Sequence, residues 1–232
     1  VLIKAAHGGG GKGIAVVEQS GQLEPMFIRM SKEAVNAFGN GDLYLEKFIR
    51  SLRHLEVQVL RDLQGNPHLL GIRDCSVQRN YQKLIEESAF DLPQKIQDQL
   101  FKYSRKLSDE IDYVGAGTVD FIYDLGEQKI YFMERNTRLQ VEHPVSEMVN
   151  GVDLVNQQFS VAKGNSLESL EIRPHGHAIE LRINAERVDL DSSGYLRFVP
   201  DPGRVTEAYF PAEENIRVIQ AVTNGSMVPP FY

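Results

Sequence analysis

The 232-residue chain holds one cysteine, no long basic run, and no apolar run near the roughly 20 residues that a membrane-spanning helix needs. A lone Cys75 excludes an internal disulfide or a multi-cysteine zinc site, and its expected role is structural or incidental rather than nucleophilic. The formal charge of −7 argues against nucleic acid as a partner, because a phosphate backbone demands clustered Lys and Arg. Negatively charged substrates must then be met at local sites. Residues 1–6 lack signal-peptide anatomy, so we expect a protein of the cytoplasm, or of the mitochondrial matrix in a eukaryote. No Met opens the chain, and Val228-Pro229-Pro230-Phe231-Tyr232 closes it without a polar tail. The expectation is that both ends are cuts through a longer protein.

What is present suits an ordinary globular chain: 42% hydrophobic and 25% charged residues can bury a substantial core in one large or two small domains. Residues 1–5 read as a buried strand, followed by the loop His7-Gly8-Gly9-Gly10-Gly11-Lys12-Gly13 and a short β-type run over 14–17. Ser31-Lys32-Glu33-Ala34 resembles a helix start leading to Phe38, with Gly39 and Gly41 ending it. Strands are expected over 43–49, 54–60 and 68–75, the last pair joined by the turn Gln64-Gly65-Asn66-Pro67. Pro93 opens a helix whose Ile96, Leu100, Tyr103, Leu107 and Ile111 recur at helical spacing. Residues 118–124 and 129–135 form the best hairpin candidate, residues 153–163 a short helix ended by Gly164, residues 166–174 a linker, and residues 175–185 another strand region. The mix predicts an α+β fold with mostly antiparallel sheets.

Two constellations carry chemistry. Consecutive glycines leave backbone N–H groups unshielded and able to wrap phosphate oxygens, with Lys4 and Lys12 supplying charge. A Walker loop is not matched, since Lys12 is followed by Gly13 and a β-like run, so a flap over a nucleotide fits better than a phosphate-binding helix start; a plain hairpin turn is the bland alternative. The second constellation rests on register. With the hairpin turn centred on Glu127, Asp120 lies opposite Glu134, and two directly opposed carboxylates call for a neutralising group such as a hard divalent cation. If the chain stays extended beyond Glu134, then Glu134, Asn136, Arg138, Gln140 and Glu142 project to one side, with Leu139 and Val141 on the other. Such a row is either an active-site face or a solvated polar edge. His175 and His177 share a strand face but make a poor metal site without a third ligand, and structural roles are expected for them.

Three segments together resemble biotin carboxylases: residues 4–13, Arg73-Asp74-Cys75-Ser76-Val77-Gln78-Arg79, and Glu134-Arg135-Asn136-Thr137-Arg138-Leu139-Gln140-Val141-Glu142-His143-Pro144. The similarity continues through Gly151-Val152-Asp153-Leu154, Glu180-Leu181-Arg182-Ile183-Asn184-Ala185-Glu186 and Pro200-Asp201-Pro202-Gly203, and so covers essentially the whole chain in order. His143-Pro144 and Asn136-Thr137-Arg138 look more like the acyl-CoA carboxylase branch than the pyruvate branch. The resemblance implies an ATP-grasp fold, with a lid over residues 1–49, a catalytic core over 50–165 and part of the biotin carboxylase C-terminal domain over 175–232. It implies that Lys4, Gly10, Gly11, Glu46, Lys47, Ile49, His54 and Gln78 contact ATP, and that Asp120, Glu134 and Asn136 hold magnesium or manganese. By the same resemblance Lys83, Arg138, Gln140 and the Val141 backbone bind bicarbonate, Glu142 is the general base, and Arg182 stabilises the biotin enolate. The implied partners are a biotin carboxyl carrier protein or domain, further copies of the chain in a homo-oligomeric parent enzyme, and a carboxyltransferase subunit.

The sequence departs from that family in places. Asp120 stands where Glu is usual, Tyr81 where His usually precedes Gln82-Lys83, Ser88-Ala89-Phe90 where Ala-Pro-Ala usually follows the paired glutamates, and the hairpin turn is longer. Two other readings stand beside the leading one: an ATP-grasp ligase that activates a different carboxylate, against which Arg182 and the bicarbonate motif argue, and a non-catalytic or incomplete nucleotide-binding module.

Overall fold

The computed structural model describes residues 1–8, 13–89 and 91–230. The chain divides into two compact units, Val1–Arg182 and Ile183–Tyr232. In the first, β1 (Leu2–Ala5) lies between β2 (Ile14–Val16) and, beyond α1 (Leu23–Phe38), β3 (Leu43–Glu46), in an antiparallel three-stranded sheet. Ile3, Val17 and Met30 make its small core, with Leu23, Met26 and Leu43 packed against them. The helix begins at Leu23 rather than at Ser31. Leu23, Met26 and Met30 already recur at helical spacing toward Ile3, and Pro25 falls in the first turn, where an amide has no helical partner to lose. The Ser31 hydroxyl donates instead to the Gly41 carbonyl at 2.8 Å, and Gly39, at φ 73°, closes the helix as expected.

The larger sheet uses β4 (Leu52–Arg61), β5 (Pro67–Arg79), β6 (Gln82–Ser88), β7 (Gly115–Asp124), β8 (Lys129–Asn136) and β9 (Ile179–Leu181), in the order β8-β7-β4-β5-β6-β9. Every neighbouring pair is antiparallel. Period-two alternation gives β4 and β7 two distinct faces. Leu55, Val57 and Val59 join Val119, Phe121 and Tyr123 on one face, covered by Ile96 and Leu100 of α2 (Gln94–Glu110). Each of these aliphatic side chains contributes about 1.5–3 kcal/mol by leaving water. His54, Glu56 and Gln58 point the other way, beside Thr118 and Asp120, and all five are buried. The second face is therefore polar and dry, which a sheet built only for stability avoids.

Two helices bound that polar face, α3 (His143–Asn150) and α4 (Leu154–Ala162). The extended chain expected through Glu142 ends at Asn136, and α3 follows a short turn, with Pro144 in its first turn and Gly151 at φ 66° closing it. Asp153 caps α4 by accepting from the Asn156 amide at 2.9 Å. The segment 166–174, expected as a linker, is anchored: Leu167 is buried with Leu60, Leu70, Val152, Leu154 and Val161, and its amide donates to Asp62 at 2.8 Å. Against the cost of burial, this bond and those from Asn66 and Ser166 hold the Asp62 carboxyl well below the ordinary range. In the second unit β10 (Glu186–Leu190) pairs with β11 (Leu196–Pro200), and β12 (Gly203–Arg204) with β13 (Met227–Val228), both antiparallel.

Candidate active site

Glu56 and Arg73 are directly opposed on β4 and β5, so their side chains meet on the dry polar face. Arg73 donates through Nε to Glu56 Oε1 at 2.5 Å, and through Nη1 to Gln58 at 2.8 Å and to Ser146 of α3 at 2.6 Å. Lys83 reaches in from β6, with Nζ 2.6 Å from Glu56 Oε2, 2.5 Å from Glu142 Oε1 and 3.7 Å from Asp120. Arg182, just beyond β9, donates through Nη2 to Glu142 Oε2 at 2.8 Å, and the same nitrogen lies 2.7 Å from Glu86 Oε1. Glu142 thus has a cation on each carboxylate oxygen. With its amide nitrogen toward the acids, Gln140 donates to Glu56 Oε2 at 2.8 Å and Glu142 Oε1 at 2.9 Å, and its oxygen accepts from Asn136 at 2.8 Å.

Burial works against every charge in this cluster, and mutual pairing offsets it. Although desolvation opposes it, Arg73 and then Lys83 hold the Glu56 carboxyl below its usual value. Desolvation likewise opposes the Lys83 ammonium, which Glu56 and Asp120 nevertheless drive above the ordinary range. Burial pushes the Cys75 thiol well up, which fits a structural rather than nucleophilic role. Glu56, Cys75 and Glu142 converge to within 4.8 Å of one another, but Lys83 already bridges the two carboxylates, so a cation there would meet an ammonium.

Asp120 sits at the edge of the cluster. It accepts from the Thr118 hydroxyl at 2.7 Å and faces His54 Nε2 at 3.1 Å, and His54 Nδ1 in turn lies 2.7 Å from the Gln78 amide nitrogen. Against desolvation, the His54 hydrogen bond and Lys83 lower its pKa. Asp120 is opposed to Glu134, as the hairpin register predicts, but a β-bulge produces the pairing. Phe121 faces Phe132 while Asp120 faces Glu134, which leaves Met133 as the extra residue. Glu134 accepts from Asn136 at 3.3 Å. Asp120, Glu134 and the Asn136 amide together offer hard oxygen donors of the kind magnesium prefers.

The structure brings Lys83, Gln140, Glu142 and Arg182 into one cluster, with Asn136, Asp120, His54 and Gln78 adjoining it. Arg138 does not join: it is exposed and donates to the neighbouring Leu139 carbonyl at 3.3 Å, because the chain leaves the extended conformation before reaching it. Val141 is exposed and Leu139 packs toward the second core, so alternation past Asn136 is kept for Gln140 and Glu142 alone. Lys4 pairs with Glu46 across the small sheet at 2.7 Å, and Ile49 is buried. Lys47 pairs with Glu127 at 2.6 Å and lies over the Tyr131 ring. Gly10 and Gly11 lie outside the described residues. His177 is held between Glu87 and Ser88, and the His175 backbone amide donates to the Val149 carbonyl.

Sequence reasoning missed Glu56, Arg73 and Glu86. The available signal was on β4, where His54, Glu56 and Gln58 alternate with fully apolar Leu55, Val57 and Val59. Alternation alone leaves that face wet or dry, since an antiparallel sheet commonly gives one face to solvent, and it is the packing of α3 and α4 that buries it.

The sheets are antiparallel, and the dry face of the larger one gathers acids, amides and the three cations Arg73, Lys83 and Arg182. The family described as carbamoyl-phosphate synthase L chain, ATP binding domain, matches residues 1–170, and the chain belongs to it. It is 46% identical to biotin carboxylase 1 of Bacillus subtilis (strain 168), over all of this chain and 51% of that protein, and 46% identical to the biotin carboxylase of Pseudomonas aeruginosa, over all of this chain and 50% of that protein. The chain thus spans about half the length of the curated relatives it matches. Among solved structures, the biotin carboxylase complex with β,γ-ATP from Campylobacter jejuni superposes with a TM-score of 0.90 at 45% identity, over all of this chain and 50% of that one. The biotin carboxylase domain dimer of Hydrogenobacter thermophilus 2-oxoglutarate carboxylase, in complex with MgADP, ADP and bicarbonate, gives 0.90 at 42% identity, with the same coverage.

Proposed function

We propose that this chain is the ATP-grasp part of a biotin carboxylase, which uses ATP to carboxylate carrier-bound biotin with bicarbonate through carboxyphosphate. The observation that carries the reading is Glu142 held between Lys83 and Arg182 on a water-excluded face. A carboxylate fixed at both oxygens is oriented to take one proton, and the two cations beside it sit where an anion must be received. In this reading Lys83, Gln140, Arg138 and the Val141 backbone receive bicarbonate, Glu142 removes its proton, and the resulting carbonate attacks the γ-phosphorus as ADP leaves. Arg182 then stabilises the biotin enolate, in a site where charge is worth more than in water. Lys4, Gly10, Gly11, Glu46, Lys47, Ile49, His54 and Gln78 contact ATP. Asp120, Glu134 and Asn136 hold magnesium or manganese, which when bound neutralises phosphate charge. The partners are a biotin carboxyl carrier and a carboxyltransferase of an acyl-CoA carboxylase serving fatty acid metabolism, in a homo-oligomeric enzyme of the cytoplasm or mitochondrial matrix.

In the full-length protein that carries this chain, Glu142→Gln should lower turnover by about 10²–10⁴-fold while leaving Mg-ATP affinity nearly unchanged. Steady-state kinetics and equilibrium ATP binding measure the two effects. A fully active variant removes Glu142 from the role of base.

A further inference from the structure

Glu86 is wholly buried on β6, and the chemistry proposed above gives it no task. Arg182 Nη2 lies 2.7 Å from its Oε1 but off the hydrogen-bonding direction, and neither Glu86 oxygen has an aligned donor among the described residues. Directly opposite Glu86 in the β6–β9 register stands a second acid, Glu180. Opposed residues of an antiparallel pair project to the same face with Cβ atoms about 4.5–5.5 Å apart, and two ionised carboxylates at that separation repel. We infer that Glu86 and Glu180 share one proton across the β6–β9 ladder and, as a pair, position the guanidinium of Arg182 against Glu142.

Three observations support the pair. A buried carboxylate whose close donor group is one off-axis guanidinium nitrogen shared with Glu142 is unfavourable, and a proton on its neighbour provides an aligned donor. Local charge also demands it: Glu56, Glu86, Asp120 and Glu142 are already four acids around the three cations Arg73, Lys83 and Arg182, so an ionised Glu180 would add a second surplus negative charge. Arg73 is committed to Glu56, and Lys83 bridges Glu56 and Glu142, so among the described residues Arg182, itself shared with Glu142, is the cation within ion-pair distance of Glu86. Separately, burial and then Glu86 raise the Glu180 carboxyl to about 7, and burial raises that of Glu86.

The charged groups that act on the pair are Lys83 on β6, Arg73 on β5, Glu142 before α3, and Arg182 itself; α3, which packs against β6 and β9, also carries His143 and Glu147, and Glu87 and His177 lie 3.2 Å from each other. Raised carboxyls make the native state bind more protons than the unfolded one between the ordinary Glu range, about 4.3, and about 7. The proton is therefore in place below neutrality and leaves as pH rises through about 7.

The test uses the full-length protein that carries this chain, with infrared difference spectroscopy across a pH titration and kinetics with free biotin. The infrared readout needs no turnover, so its failure is distinguishable from failure of the proposed function on which the Arg182 role rests. The expected result is a protonated-carboxyl band that disappears with a near-neutral midpoint and is missing from both Glu180→Gln and Glu86→Gln. Glu180→Ala should raise KM for biotin about tenfold through the loosened Arg182, with ATP affinity unchanged, and Glu180→Gln, which keeps a donor, should rescue most of that loss. No such band at about pH 6, or a band that survives in both amide variants, overturns the shared proton. A present band with an unchanged KM in Glu180→Ala overturns the positioning role. If Glu180 variants fail to fold, Glu86→Gln alone decides the spectroscopic question.

Discussion

Arg73 is the largest fully buried side chain among the described residues, and its guanidinium ties β4, β5 and α3 together through Glu56, Gln58 and Ser146. A buried ion pair adds little net stability over apolar side chains of the same shape, but removing one partner strands the other. Arg73→Met should therefore destabilise the fold by about 3–5 kcal/mol, read as a lower urea midpoint at unchanged m-value. Arg73→Met combined with Glu56→Gln should recover part of that loss; if the double variant is no more stable than the single, the stranded charge is not the cause. At this scale the sequence was legible where residue order is distinctive. Glu142 and Arg182 were recognised by the motifs around them, and Lys83 by its place after Gln82. Glu56 and Arg73 escaped because a charged residue in a strand ordinarily reads as solvated, and only the packing of α3 and α4 over that face of the sheet denies it water.

The β7–β8 hairpin shows how an element can be anticipated correctly for an incomplete reason. A regular ladder from the turn would have opposed Asp120 to Met133, and the bulge at Met133 moves Glu134 into place. Gly117 makes the far end of this hairpin possible, since a Cβ there would lie 2.5 Å from the Asn136 carbonyl oxygen and 3.1 Å from the Tyr113 hydroxyl. Gly117→Ala should thus force β7 and β8 apart beside Asn136, costing about 1–3 kcal/mol. Amide hydrogen exchange in β8 would report the opening, and unchanged protection with unchanged thermal stability would contradict it. Element boundaries were less legible than elements. Helix α1 starts well before its apparent cap because tertiary contact with Ile3 rewards Leu23 and Met26, and α3 begins directly after the row that reads as extended through Glu142. The β5–β6 turn places Asn80 and Tyr81 in left-handed backbone, at φ 52° and 63°, with the Tyr81 ring exposed.

Over the whole molecule, the α+β class and the antiparallel sheets followed from periodicity alone, whereas the assembly of the site did not. Lys83, Glu142 and Arg182 are separated by long stretches of chain and meet only because the sheet order β8-β7-β4-β5-β6-β9 brings β6 beside β9 and sets α3 over both. No strand's own pattern encodes that order. The same order explains why acids and cations far apart in sequence share one dry face, and it is on this face that the proposed chemistry depends. The direct measurement is ADP release by the full-length protein that carries this chain, with and without bicarbonate and with and without free biotin. Release that requires bicarbonate and rises when biotin is added is the predicted result; release indifferent to both, from a protein that still binds Mg-ATP, would contradict the account.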